Sequence, residues 1–519
     1  MSSLLRVADA VLLCAALTII YKLCLRQAKP SRLPYPPGPP GYPLIGHLSG
    51  PEGPGGRSWV TFRDWSLQYG SDVIHLNMAG THLIVLNTLG ACSDLLEKRS
   101  TIYSDRPTAG ITMLSELCGL GWSFGLQRYG PEWRDGRKCF ESQFNAHAVR
   151  KYRPALSREV SRFLHNLCTD PVAWEYHVHH MAGALIMSVG YAIDVQAKDD
   201  PYLNAAEHAG ECVQKTLVPG AFLVDILPFL KYLPDWFPGV GFKQKARSWR
   251  KSIMYIRDAP YDVTKKRVVD DVESVPDCVA KDLMEKMVNN AKDPVYMERV
   301  ARSATHSVLS ACVLTLVLNP NFLPRAQASI DEVCQGRLPD FSDYEALPHV
   351  HAIVREAMRW NPVVALNLPH RCTTDDIYEG HLIPAGSIVI ANIWAILHDP
   401  AVYPDPESCN PMRYLRCSPD GTVTLDPAVP NPADVAFGFG RRICPGRFMG
   451  YQTVWLALAR MLAAFDIQCA TDADGVPIVP RGEYEWGFTN RPKPFECSIK
   501  PRSAAHAALV MQDVDAGEL

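Results

Sequence analysis

The chain has 519 residues, 47% of them hydrophobic and 21% charged, which is enough apolar matter for a large folded core and excludes a disordered chain. A formal net charge of −3 provides no global basic field to hold a nucleic-acid backbone, so nucleic acid is not expected as a partner. The 16 cysteines are scattered without any CxxC pair or compact framework, so most are read as reduced, small core residues.

In chain order, the first expected element is an apolar run over residues 10–21, extendable to 7–25. That length just spans a bilayer, and Arg26, Lys29 and Arg32 follow it directly. Basic residues after the run keep the remainder on the cytosolic side, so residues 1–29 are expected to be a single membrane anchor. Residues 30–43 include Pro34, Pro36, Pro37, Pro39, Pro40 and Pro43, whose fixed φ and missing amides favour a stiff extended hinge. Residues 44–502 alternate long helical patterns, such as 344–360 and 447–464, with short β-prone runs such as 83–86 and 387–390. The expected fold is therefore mainly α with minor β. Residues 503–519 are small and polar enough to be expected as a disordered tail. The cluster His177, His179 and His180 has no neighbouring carboxylate or thiol, so it is read as structural and not as a metal site.

The most informative segment is Phe437-Gly438-Phe439-Gly440-Arg441-Arg442-Ile443-Cys444-Pro445-Gly446, followed at once by a helical pattern. It is no dinucleotide fingerprint, because Ile443 occupies the third glycine position. A cysteine entering a helix gains from the positive end of the dipole and from unpaired amides, which stabilise a thiolate. The segment resembles the haem-binding signature of cytochrome P-450 enzymes, with Phe437, Gly440, Arg442, Cys444 and Gly446 at the five specified positions. Five matches at fixed offsets arise by chance in about one in ten thousand chains of this length.

The resemblance covers residues 36–502, and it implies the cytochrome P-450 fold behind an N-terminal transmembrane helix. It implies haem b held by the Cys444 thiolate, with Phe437 beside the sulfur and Arg442 on a propionate. Glu356-Ala357-Met358-Arg359 matches the family's ExxR element, and Arg413 is the arginine that completes a buried Glu-Arg-Arg network. Met412 stands where relatives often carry Glu, so only Arg413 is transferred from that motif. Trp133 and Arg137 match a WxxxR pair facing the propionates, and His370 matches a propionate-binding strand position.

The resemblance fails in one place. Relatives carry Ala-Gly-x-Asp/Glu-Thr-Thr on a long distal helix, whereas this chain reads Val300-Ala301-Arg302-Ser303-Ala304-Thr305-His306. An ungapped fit puts Ser303 at the acid and Ala304 at the first threonine, leaving only Thr305 as a catalytic relay candidate; alternatively, residues 297–304 resemble those before the element and Thr305-His306-Ser307 those after it, as though the element were missing. Residues 295–318 would form roughly 36 Å of helix, short for this element.

The implied reaction inserts one atom of dioxygen into a lipophilic substrate, with electrons from a separate NADPH-dependent flavoprotein reductase. Arg137, Lys138, Arg441 and Arg447 would form the basic docking patch. The implied location is the endoplasmic reticulum membrane, single-pass, with the catalytic domain in the cytosol. The apolar stretches 107–128 and 216–236, the strand after Pro362 and the turn 485–489 resemble substrate-recognition regions. Segments 390–400 and 492–495 are similar to fungal microsomal members acting in secondary metabolism or on foreign compounds. Alternatives from other classes are a haem-binding pseudoenzyme or truncated gene product without the distal element, and a peroxide-driven oxygenase.

Overall fold

The computed structural model describes residues 33–42, 46–47, 50–51, 53, 56–78, 80–108, 110–217, 221–287 and 297–517, with the side chains of 226, 286–287, 297–305 and 515–517 left aside. The anchor expected over residues 1–29 lies outside these residues. Among the described residues no single helix is long and apolar enough to cross a membrane.

The chain divides into two compact units, the smaller comprising residues up to Pro107 together with Leu368–Asn392. In it, α1 (Ser58–Tyr69) buries Trp59, Val60 and Phe62 and stops at Gly70, whose φ of 59° closes the helix in the left-handed region. A four-stranded sheet follows in the order β1 (Val73–Met78), β2 (Thr81–Leu86), β6 (Ile388–Ala391), β3 (His370–Arg371). β4 (Asp376–Tyr378) and β5 (His381–Ile383) form a separate hairpin. The central pair β2 and β6 is parallel and carries the near-continuous apolar runs that burial on both faces requires. Over its described residues, 33–42, the proline-rich hinge is not free-standing. Its carbonyls at Pro34 and Pro37 accept from the amides of Leu382 and His75, at 2.8 and 3.0 Å.

The larger unit is mostly helical. Its longer helices are α2 (Pro131–Phe144), α3 (Arg153–Thr169), α4 (Trp174–Tyr191), α5 (Pro201–Thr216), α6 (Gly241–Asp270), α7 (Val279–Met287), α8 (Met297–Leu318), α9 (Leu323–Cys334), α10 (Pro348–Trp360), α11 (Arg447–Ala464) and α12 (Ala504–Gly517). α11 is buried on every side from Thr453 to Ala464, the mark of a central helix. α8, α9 and α10 pack around it. Small sheets complete the unit: β7 (Leu415–Cys417) with β8 (Val423–Leu425), β9 (Phe465–Thr471) between β10 (Pro477–Ile478) and β13 (Cys497–Pro501), and β11 (Tyr484–Glu485) with β12 (Arg491–Pro492). No disulfide links any of the described cysteines.

The tail corrects a sequence expectation. Residues 503–519 were expected to lack structure, yet α12 packs against α3, buries Val510 and places Asp513 Oδ2 3.0 Å from Arg460 Nη1 of α11. Composition hid this helix because its order comes from docking, which composition does not report.

Candidate active site

The loop before α11 is built around two left-handed glycines, Gly438 at φ 81° and Gly440 at φ 58°. A β-carbon would strain both positions. They turn the chain so that the Cys444 amide donates to Phe437 O at 2.9 Å, closing the segment into a compact loop. Gly446 then caps α11, which begins at Arg447. Burial pushes the Cys444 thiol above its ordinary value, opposed by the Gly446 amide and by the charges of Arg137 and Arg447. Those opposing groups favour sulfur as an anion, and a bound cation would complete their work.

Cations surround the loop, and their commitments differ. Arg442 lies 4.2 Å over the Trp133 ring and donates through Nη2 to Gln127 O at 2.8 Å. Arg137 donates to Ile443 O and pairs with Glu141 at 3.0 Å, while Arg447 donates to Cys444 O at 3.1 Å. Arg137 and Arg447 therefore hold the loop, and Lys138 and Arg441 are the exposed members of the four-residue basic patch.

Trp133 is 3% exposed, and its Nε1 is buried with no hydrogen-bond partner among the described residues. A buried indole N–H without an acceptor costs about 1–3 kcal/mol, so this donor calls for an acceptor. A thiol held among cations, a buried indole N–H short of an acceptor and an arginine beside that indole are compatible with a haem whose iron takes a thiolate and whose carboxylates take hydrogen bonds. The residues fit haem.

Behind the loop, Glu356 and Arg359 are both 0% exposed and make a bidentate pair, Nε to Oε2 at 2.8 Å and Nη2 to Oε1 at 2.9 Å. Arg413 Nε reaches Glu356 Oε2 at 3.2 Å. The two guanidiniums then spend their other protons on carbonyls of one connecting segment: Arg359 on Leu397, Pro406 and Ser408, Arg413 on Pro404, Asp405 and Ser408. Glu356, Arg359 and Arg413 are thus joined through one buried carboxylate. One contributor escaped the sequence reading, the Asn410 amide, which donates to Glu356 Oε1 at 2.7 Å. Its signal was present in the Asn-Pro pair that starts a helical turn, where the Asn410 side chain caps Met412.

The larger unit thus brings Cys444, Phe437, Gly440, Arg442, Gly446, Trp133 and Arg137 together. His370 belongs to the smaller unit, where its Nδ1 is 2.8 Å from Tyr103 O. Thr305 lies within α8, with its side chain outside the described set. In the histidine cluster, His177 Nε2 is 3.0 Å from Asp170 O and His180 Nε2 is 2.8 Å from Gln196 O, while the His179 ring meets the His306 ring edge-on.

A cavity of about 980 Å³ lies between α5 and the 485–489 turn and is lined also by Ala221 and Phe222, so it touches two of the stretches that resemble substrate-recognition regions. Gln214 fixes that turn by accepting from Thr489 N at 3.1 Å and donating to Thr489 O at 3.2 Å. Phe222 and Trp486 give it aromatic walls, while Glu207, Glu211 and Lys215 make its rim more polar than the apolar composition of the neighbouring segments implied.

A family model described as Cytochrome P-450 matches residues 36–499. Cytochrome P-450 monooxygenase 98 of Postia placenta is 40% identical over 93% of this chain and 94% of its own length. Tryptamine 4-monooxygenase of Psilocybe cyanescens is 38% identical over 93% of this chain and 96% of its own. Cytochrome P-450 monooxygenase ple1 of Rhodocybe pseudopiperita is 37% identical over 94% and 93%. Enzymes of this family bind haem b through an axial cysteine thiolate. Both the match along the sequence and the cysteine loop at the head of α11 lead to one assignment: this chain belongs to the cytochrome P-450 family of monooxygenases.

Proposed function

We propose that the chain is a membrane-associated monooxygenase in which Cys444 ligates haem b and an NADPH-dependent flavoprotein reductase supplies electrons one at a time. The reaction takes a lipophilic substrate, dioxygen, two electrons and two protons to a product carrying one oxygen atom, with one water released. The observation that carries the reading is the Cys444 loop, with its left-handed glycines, helix entrance and cationic surroundings. When bound, thiolate-ligated haem supplies the oxygen activation.

The reading gives each residue a role. The Gly446 amide, Arg137 and Arg447 stabilise negative charge on the Cys444 sulfur. Arg442 and the Trp133 indole N–H offer hydrogen bonds to carboxylates. The Phe437 carbonyl receives the Cys444 amide, which supports a place for its ring beside the sulfur. Glu356, Arg359 and Arg413 are positioning residues, holding the 397–413 segment in one arrangement. Thr305 is the relay hydroxyl that remains once Ser303 and Ala304 have replaced the usual acid and threonine. Lys138 and Arg441 offer a reductase the exposed positive charge that speeds encounter with an acidic partner. The basic residues Arg26, Lys29 and Arg32 support a single-pass anchor at the endoplasmic reticulum with the remainder in the cytosol.

The reduced carbon-monoxide spectrum tests the central claim. The unmodified protein should show the signature of thiolate ligation, and Cys444→Ser should lose it while the chain stays folded by circular dichroism. An unchanged spectrum in Cys444→Ser sinks the assignment of the ligand.

A further inference from the structure

Cys469 and Cys497 stand directly opposite each other on the antiparallel strands β9 and β13. Their separation follows from the parity of the ladder. The Arg502 amide donates to Ala464 O at 3.0 Å, and these two residues continue the register by one step, so they form a hydrogen-bonded pair. Bonded and non-bonded pairs alternate along an antiparallel ladder. Counting down the strand makes Pro501 with Phe465, Ile499 with Ile467 and Cys497 with Cys469 the non-bonded pairs. Proline at such a position agrees with that parity, since it has no amide to give.

Parity matters because non-bonded pairs are the close ones, with Cα atoms about 4.5 Å apart and side chains nearest each other. A disulfide needs Cα atoms about 4.4–6.8 Å apart, a window that includes this separation. Facing side chains are the second requirement. Residues two apart on a strand share a face, so the cysteines project with Ile467 and Ile499, both almost fully buried. Neither cysteine is fully buried. Electrostatics agree with their proximity: burial, then Glu175 and Cys469, hold the Cys497 thiol up at about 12.

We infer that Cys469 and Cys497 form a reversible redox-sensitive cross-link between β9 and β13, with hydrogen peroxide as the oxidant. Cys469 sulfur attacks one peroxide oxygen, the O–O bond breaks, and a sulfenic acid and one water result. The Cys497 thiol then attacks that sulfur, the S–S bond forms and a second water leaves. Two electrons and two thiol protons have passed from the cysteines to peroxide, and a dithiol reductant reverses the change. β9 follows α11 without a break, so the bond ties the strand leaving the central helix to the last strand of the sheet. It also removes the thiol proton that Cys469 directs to Val317 O, 3.8 Å away in the last turn of α8.

The test uses full-length protein in native buffer, given a few equivalents of hydrogen peroxide, blocked with N-ethylmaleimide and digested without reductant for mass spectrometry. The expected result is a Cys469 peptide joined to a Cys497 peptide and separated again by dithiothreitol. The joined species should vanish in Cys469→Ser and in Cys497→Ser and persist in Cys417→Ser, which changes an exposed cysteine elsewhere. The proposal is overturned if both thiols remain alkylatable, if either stops at sulfinic acid, or if the link joins a different cysteine. The unmodified protein decides the matter even where a variant fails to fold.

Discussion

Glu356 sets one carboxylate against two guanidiniums, with Arg359 wholly buried and Arg413 nearly so. Carboxylate oxygen Oε1 also receives the Asn410 amide, so removing the side chain strands charge and backbone together. Breaking a buried pair from one side costs about 3–5 kcal/mol, because the surviving charge stays out of water without a partner. Glu356→Ala should therefore lower stability by that order, read as a fall in the urea midpoint at unchanged slope, and should reduce haem retention. Glu356→Gln should recover part of the hydrogen bonding and little of the charge balance, giving an intermediate midpoint. A variant whose midpoint stays within experimental error would show that the network contributes nothing to holding the 397–413 segment.

At the scale of elements, legibility depended on whether the determining interactions are local in sequence. The expected helices 344–360 and 447–464 became a short turn followed by α10 and the whole of α11, because their apolar spacing is local. The cysteine loop was equally legible, since glycine and cysteine chemistry at fixed offsets specifies it. Contacts across long separations were not: Arg137 with Ile443 O, Gln214 with the Thr489 backbone and Asp513 with Arg460 leave no local pattern. The last of these explains the misread tail. Arg460 is buried, its Nε goes to Pro339 O, and Asp513 is the carboxylate at its Nη1. Ending the chain after Ser503 should thus lower stability by about 1–3 kcal/mol, less than for a wholly buried pair because Asp513 is 28% exposed. Thermal unfolding of the truncated protein and of Asp513→Asn measures this. Equal melting temperatures for all three proteins would show that the helix merely rests on the surface.

For the whole molecule, the consequence of α8 is the timing of protons against electrons. The helix runs Met297–Leu318, 22 residues or about 33 Å. On it, an ungapped fit to the family's Ala-Gly-x-Asp/Glu-Thr-Thr element would put Ser303 at the acid and Ala304 at the first threonine. A carboxylate beside a hydroxyl delivers protons in register with the electrons that the reductase supplies. On the function proposed above, Thr305 and solvent deliver them, and a proton arriving at the wrong stage would release reduced oxygen before the substrate is attacked. The unmodified enzyme, reconstituted with reductase, should therefore release more hydrogen peroxide than product per NADPH consumed. Ser303→Asp combined with Ala304→Thr restores the missing pair and should shift that ratio several-fold toward product without altering the thiolate spectrum. Thr305→Ala should shift it the other way. If the unmodified protein already converts nearly every NADPH into product, the relay does not depend on the missing pair, and proton delivery must come from groups other than those the helix places at 303–305.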